Sequence, residues 1–271
     1  MTTKRFNGKA IYQPSGKAAE YSAWACNFFT GCSNDCEYCY CKRGVMSHVW
    51  NTEPRLKKCF KDWKHALDVF GKELNANLEV LRKSGILFSF TTDPLLPETK
   101  WLTLRSVQLA NQQGVPVKIL TKRADFLDDV KFLWLDEKLT AFGFTLTGFD
   151  EKEPGASLTD ERIEAMRELH CLGFKTFASI EPIITPAMSR NMIEATRGFC
   201  DLYKVGVISG KGKDFYNRDN MIHFWGWLTG KTLVGSKIYL KDSFPAYFGI
   251  KREQIKGDFV NADYNIFRNG L

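Results

Sequence analysis

No stretch of this 271-residue chain approaches the roughly 18 apolar residues that a membrane helix needs, so no spanning segment is expected. The opening Met1-Thr-Thr-Lys-Arg-Phe-Asn-Gly-Lys9 has no apolar core behind its basic residues. That predicts no secretory leader and a cytoplasmic, reducing compartment. Linkers rich in Gly, Pro or Ser, internal repeats and low-complexity runs are missing too. With 44% hydrophobic and 25% charged residues, the disordered and fibrous classes are excluded. Histidine is scarce: His48, His65, His170 and His223 stand apart, with His65 and His170 on predicted helices that face solvent.

The net charge of +7 is unevenly placed. Residues 1–59 carry 9 Lys/Arg against 4 Asp/Glu, residues 228–271 carry 7 against 4, and the middle is close to neutral. Two basic ends that meet in space would form a cationic rim for a polyanion; lysines that only keep the surface soluble give the same pattern.

Cysteine is concentrated. Of eight, Cys26, Cys32, Cys36, Cys39 and Cys41 fall between residues 26 and 41. In a long chain without a leader, clustered thiols read as a soft-metal site rather than a disulfide framework. Cys32-Ser-Asn-Asp-Cys36-Glu-Tyr-Cys39 has the spacing C-x3-C-x2-C, whereas Cys59, Cys171 and Cys200 are solitary. Zinc usually takes four protein ligands in two separated pairs. A compact triplet with no second pair suits a cubane iron–sulfur cluster whose fourth iron is left open.

From about residue 61 the hydrophobic pattern alternates between helix and strand periods. A helix through Leu67, Phe70, Leu74, Leu78 and Leu81 stops near Gly85, and Ile86–Phe90 follows as a strand. Helix 98–113, with Trp101, Leu104 and Val107 on one face, precedes a strand at Val115–Leu120, and a helix covers Ala124–Asp136. Next come a strand at Ala141–Leu146, a helix capped by Ser157 or Thr159, and a strand at Lys175–Ile180. A helix opened by Thr185-Pro186, a strand over Leu202–Ser209 and a helix over Met221–Leu228 complete the run. With a first strand within about 22–30, there are six β/α units, which predicts parallel strands with right-handed crossovers. Periodicity alone leaves a partial barrel and an open sheet both standing; each puts chemistry at the carboxyl ends of its strands. The cysteine loop follows the first strand at Gly31, and so lies at such an end.

The spacing, the aromatic before the last cysteine and the β/α layout together resemble the radical S-adenosylmethionine enzymes. The branch most similar in motif style contains spore photoproduct lyase and a phage-associated family of unknown function. The segments that carry the likeness are Asn27-Phe-Phe-Thr-Gly-Cys32, Ser89-Phe-Thr-Thr-Asp93, Ile119-Leu-Thr-Lys-Arg123, Thr145-Leu-Thr-Gly148, Ser179-Ile-Glu-Pro182 and Val207-Ile-Ser-Gly210. They cover residues 22 to about 210; Lys237-Ile-Tyr-Leu-Lys-Asp242 matches only loosely. The resemblance implies an α/β partial (β/α)6 barrel over residues 1–228, with a C-terminal extension, 229–271, packed on it.

It also implies that Cys32, Cys36 and Cys39 hold a 4Fe-4S cluster whose open iron chelates S-adenosylmethionine. Reductive cleavage by an electron from a flavodoxin- or ferredoxin-type donor would give a 5′-deoxyadenosyl radical that abstracts hydrogen from substrate. The outcome would be lyase- or transferase-type chemistry. Tyr38 would wall the adenine, and Lys122 would meet the cofactor's carboxylate as a point cation. Ser89, Thr91 and Asp93 would reach its ammonium and ribose, and Thr145 a ribose hydroxyl. Ser179 and Glu181 would bind cofactor or substrate, and Tyr40 would relay a hydrogen atom. Each has a structural reading beside it: loop packing for Tyr38 and Tyr40, solvation for Lys122, turn capping for Thr145 and pairing with a core lysine for Glu181.

Phe88 departs from the pattern, because the lyase has a donor cysteine at that place. Photoproduct repair is therefore disfavoured, with Cys41 the nearest substitute thiol. Ser209-Gly-Lys-Gly-Lys213 is phosphate-friendly but lacks the full phosphate-loop spacing, and Trp225 and Trp227 read as core before they read as base platforms. A nucleic acid or nucleotide is the leading substrate class. A peptide or small metabolite, and a nucleic-acid-binding module with a structural metal, remain alternatives.

Overall fold

A computed structural model describes residues 5–230 and 236–268. Residues 1–4, in the stretch read as leaderless, and 231–235 and 269–271, in the expected extension, lie outside the described residues.

The N-terminal part contributes short strands. β1 (Ile11–Tyr12) runs antiparallel to β2 (Ala25–Cys26), and β3 (Phe29–Thr30) pairs with β4 (Arg55–Leu56) in a separate ribbon. The expected first strand is thus two, interrupted at Asn27. Its side chain bonds sideways, donating from Nδ2 to the Tyr12 hydroxyl at 2.7 Å and accepting from the Phe90 N–H at 2.8 Å.

The alternating part follows as α1 (Trp63–Ala76), α2 (Leu78–Ser84), β5 (Ile86–Phe88), α3 (Lys100–Gln112), β6 (Val117–Thr121), α4 (Leu127–Leu133) and β7 (Thr140–Thr145). It continues with α5 (Thr159–Cys171), β8 (Lys175–Ile183), α6 (Pro186–Thr196), β9 (Leu202–Val207), α7 (Arg218–Gly230), β10 (Lys237–Leu240) and α8 (Ser243–Phe248). The sheet order is β1-β2-β5-β6-β7-β8-β9-β10, parallel throughout except for β1 at the edge. This is the expected partial barrel, with β10 adding a further parallel strand beyond the six units.

Several boundaries differ from the periodicity for local reasons. The long first helix breaks at Asn77, whose backbone (φ −121°, ψ 18°) leaves the helical region. Trp101 turns to solvent, and α3 buries Leu102, Leu104, Val107 and Ala110 instead. α4 starts three residues later than read and ends at Leu133. α5 is capped at Leu158, because Ser157 Oγ is taken by the Ala124 N–H at 2.9 Å and Thr159 bonds Asp150. Thr185 caps α6 as read, accepting from the Met188 N–H.

Strand side chains alternate between two faces. The outward face packs under the helices as the main core, with Phe142 and Phe144 against Phe126. The inward face carries a second core of Ala141, Phe177, Leu202, Tyr239 and Ile266, against which Val260, Tyr264 and Phe267 pack. Here Gly143 is required: a Cβ would lie 2.1 Å from the Phe177 ring. Further along the inward face stand Leu120 and Lys122, Thr145, Ser179 and Glu181, and Lys241, which line a cavity at the carboxyl ends of the strands.

Candidate active site

The cysteine loop is held on three sides. Gly31 (φ +82°) turns the chain beside the 51–53 segment, where a Cβ would stand 2.4 Å from the Glu53 carbonyl, and the Cys32 N–H donates to Asn51 O at 2.7 Å. The 150–157 segment crosses it, with the Glu37 N–H bonded to Lys152 O at 2.9 Å and the Gly155 N–H to Asn34 O at 3.1 Å. Only glycine fits at 155, since a Cβ would come within 1.9 Å of Ser33 O. On the third side Asn34 Nδ2 donates to Asp93 Oδ2 at 2.7 Å.

Asp93 is the clamp of this arrangement. Besides Asn34, its carboxylate accepts from the Lys122 N–H at 2.7 Å, the Thr121 hydroxyl at 2.6 Å and the Leu95 N–H at 3.0 Å. Four donors fill the acceptor capacity of a carboxylate. Asp93 thus joins the cysteine loop to the end of β6 rather than offering a free lone pair. Ser89 donates to Thr92 O at 2.5 Å, Thr91 to Phe29 O at 2.7 Å, Thr92 to Gly31 O, and Tyr40 to Phe90 O. The hydroxyl protons of this segment are therefore spent on the protein, which leaves their oxygens able to accept.

Cys32, Cys36 and Cys39 line one cavity of about 460 Å³. Cys36 is buried and the other two are half-buried. Burial pushes the Cys32 thiol up to about 12 and raises Cys36, while a hydrogen bond from Cys41 lowers Cys39. Among the described residues no three His, Cys, Asp or Glu side chains converge on a single-ion site. Three soft donors from one loop, opening on a shared cavity, fit a cluster with three protein ligands better than a four-ligand structural ion.

The same cavity brings together the other residues that the family resemblance assigned to cofactor or catalysis: Tyr38, Tyr40, Ser89, Thr91, Asp93, Lys122, Thr145, Ser179 and Glu181. The Lys122 ammonium stands 5.6 Å from the Tyr38 ring centre and, among the described residues, has no ion pair. Burial works against its charge, but Cys36, Glu153 and Asp93 outweigh that and hold it above its ordinary value. Tyr38 donates to Glu153, which is itself fully buried against Arg162 at 2.6 Å; Arg162 also donates to Thr145 O at 2.7 Å. Tyr40 is 46% exposed at the mouth. Phe88 points into the core against Phe28 and Phe70, whereas Cys41 lines the cavity.

The opposite wall holds groups that the sequence reading missed. Glu181 Oε2 accepts from the Tyr21 hydroxyl at 2.8 Å and pairs with Lys241 Nζ at 2.5 Å, so its reading as the partner of a core lysine is realised. Tyr21 has one proton, given to Glu181, so Ser179 donates to Tyr21 across their 2.7 Å contact. Lys118 and Lys204 reach the carbonyls of Tyr21 and Glu20 at 3.0 and 2.7 Å, pinning this N-terminal segment inside the barrel. The signal was present in the sequence: Lys118, Lys204 and Lys241 each stand in or beside an apolar strand, where a lysine is costly without a partner. Gly206 makes room for the carboxylate, as a Cβ would stand 3.0 Å from Glu181 Oε1.

No protein-family model matches the chain. An uncharacterized protein of Methanocaldococcus jannaschii is 25% identical over 232 residues, 83% of this chain and 77% of that protein. Among solved structures, a spore photoproduct lyase mutant with bound AdoMet and dinucleoside spore photoproduct superposes with a TM-score of 0.56 at 16% identity, covering 72% of this chain and 58% of that one. Streptococcus suis SuiB bound to S-adenosylmethionine gives a TM-score of 0.51 at 10% identity over 84% of this chain and 53% of that one. The chain thus spans less than two thirds of the solved structures it matches. It shares the fold of spore photoproduct lyase, which is the likeness that its motifs predict.

Proposed function

We propose that this protein is a radical S-adenosylmethionine enzyme. The observation that carries the reading is the meeting of Cys32, Cys36 and Cys39 on one cavity at the carboxyl ends of the parallel strands, in a fold shared with a lyase solved with AdoMet. The three cysteines would ligate three irons of a 4Fe-4S cluster. When bound, cluster and S-adenosylmethionine together supply one-electron cleavage to a 5′-deoxyadenosyl radical.

The chain's own residues then bind and orient. Lys122, a cavity cation without an ion pair among the described residues, suits the cofactor's carboxylate, and Tyr38 beside it offers an aromatic wall. The oxygens of Ser89 and Thr91 remain able to accept from an ammonium, with Asp93 acting through the clamp it forms. Thr145, Ser179 and Glu181 line the farther wall toward ribose or substrate, and Tyr40 stands at the mouth as the hydrogen-relay candidate. Residues 1–228 form the catalytic unit on this reading, with 229–271 packed on it; the Lys241–Glu181 pair supports that.

A nucleic acid or nucleotide is the substrate class proposed. The basic N-terminal segment reaches the mouth through Lys17 and Trp50, with Lys42 over the Trp50 ring at 4.9 Å. The solved lyase binds a dinucleoside, which agrees with it. A low-potential flavodoxin- or ferredoxin-type protein would deliver the electron.

The test is anaerobic reconstitution with iron and sulfide, reduction with dithionite, and chromatographic assay of 5′-deoxyadenosine beside a Cys36→Ala control. Product well above the control supports the reading; none above it overturns it.

A further inference from the structure

The turn after β9 takes no part in the chemistry above, yet it begins at Ser209, which lines the same cavity. Ser209 and Lys17, 192 positions apart, both line the cavity, and Lys17 Nζ donates to Ser209 Oγ at 3.0 Å. A hydroxyl that accepts from an ammonium still has its own proton to donate. Gly210 turns the chain at φ +77°, and no atom lies within 4 Å of where a Cβ would be at Gly210 or Gly212, so the backbone there is open to a ligand. Lys211 is exposed beside it.

Charge decides what fits. Among the described residues no carboxylate pairs with Lys17 or Lys211. Glu181, the acid on this wall, is turned to Lys241 at 2.5 Å, an ammonium it shares with Glu20 at 3.7 Å. Lys17 and Lys211 therefore place positive charge beside a hydroxyl donor and an open glycine turn. A compact ammonium, a hydroxyl and the N–H groups of a glycine turn together suit a phosphate oxyanion.

We propose that Lys17, Ser209 and the Gly210–Gly212 turn form a phosphate subsite that anchors the substrate across the cavity from the cysteines. The proposal rests on the reading of the cavity as a substrate-binding site and deepens it by naming the group that is held. The phosphate is either the terminal group of a mononucleotide or the internal diester of an oligonucleotide.

Binding to the reconstituted full chain, without reductant, tests it by calorimetry. The probes are adenosine, adenosine 5′-monophosphate and a diadenosine dinucleotide with one internal phosphodiester. The expected result is at least about a tenfold preference for one phosphate-bearing probe over adenosine, weakening with salt. Lys17→Gln should reduce that preference to within about threefold, and Lys17→Arg should restore part of it. Lys17 is exposed, so these variants leave the core intact. The tighter of the two phosphate probes names the source. Equal binding of adenosine and both phosphate probes, or a preference unchanged in Lys17→Gln, overturns the subsite. Because no electron is delivered, the outcome is distinct from failure to form 5′-deoxyadenosine, which bears on the enzymatic reading alone.

Discussion

Lys241 and Glu181 form an ion pair with Nζ 2.5 Å from Oε2, although Glu181 lies in β8 and Lys241 directly follows β10, with β9 between the two strands. The pair ties the C-terminal part of the chain to the cavity wall. Lys241 is 1% exposed, and its ammonium also lies 4.3 Å from the Tyr21 ring centre. Removing one member of such a pair strands the other charge, which costs about 3–5 kcal/mol. Lys241→Met should therefore lower the urea midpoint of unfolding markedly. The double variant Lys241→Met/Glu181→Gln should lose clearly less than the sum of the single losses. Additive losses in denaturation curves would show that the contact carries no coupling.

Asp93 offers a second test, because its work lies in holding the cysteine loop. Asp93→Asn keeps the shape but turns an acceptor oxygen into a donor, facing either Asn34 Nδ2 and the Lys122 N–H or the Thr121 hydroxyl and the Leu95 N–H. Outer contacts of this kind change metal affinity by about 10–100-fold when broken. The expected outcome is a fall in iron and acid-labile sulfide retained after reconstitution and desalting, with far-ultraviolet circular dichroism unchanged. Full retention would place the loop under the control of its other anchors.

The contrast between Asp93 and Lys241 shows what the sequence made legible. Local pattern carried the parallel α/β layout and the cysteine loop, and the family resemblance of the motifs carried the residues named at strand ends, because strand period and motif position are local properties. Asp93 was visible as a cavity residue but not as a saturated clamp, since its partners Asn34 and Thr121 lie 59 and 28 positions away. Tyr21 was not legible as a site residue, and Lys241 showed only as a lysine beside an apolar strand: what brings them to Ser179 and Glu181 is barrel closure, a long-range event that names no partner in the sequence. The break at Asn77 and the outward Trp101 are cases where tertiary packing overrides an apolar count.

Glu153 joins two layers of the site. It accepts from Tyr38 on the cavity side and from Arg162 on the other, with Arg162 and Glu153 both fully buried. Glu153→Gln leaves Arg162 with the Thr145 carbonyl and the partly exposed Asp150 at 3.1 Å. A loss of about 3 kcal/mol in folding stability is expected, the lower end for a broken buried pair because Asp150 remains. Arg162→Met/Glu153→Gln should recover part of it. A single variant within about 0.5 kcal/mol of wild type by urea titration would assign the pair no net weight.

The pH dependence of stability follows from the lysines inside the barrel. Burial pushes the Lys118 ammonium down to about 8, and burial together with Lys118 and Lys241 drives Lys204 well below its ordinary range. An unfolded lysine titrates near about 10.4. Between pH 8 and that value the unfolded chain holds a proton at Lys118 that the folded chain has released, so the contribution of Lys118 to stability rises with pH across this window. The full shift corresponds to about 3 kcal/mol. Above about pH 10 Tyr21 and Tyr38 act against it, because burial holds them protonated while unfolded tyrosines ionise. Between pH 8 and 10 the urea midpoint of the cluster-free protein should therefore gain on that of Lys118→Met, while the raised thiols of Cys32, Cys36 and Cys200, common to both proteins, pull both curves down above about pH 8.5. Parallel curves for the two proteins would mean that Lys118 keeps its proton in the folded barrel through that range.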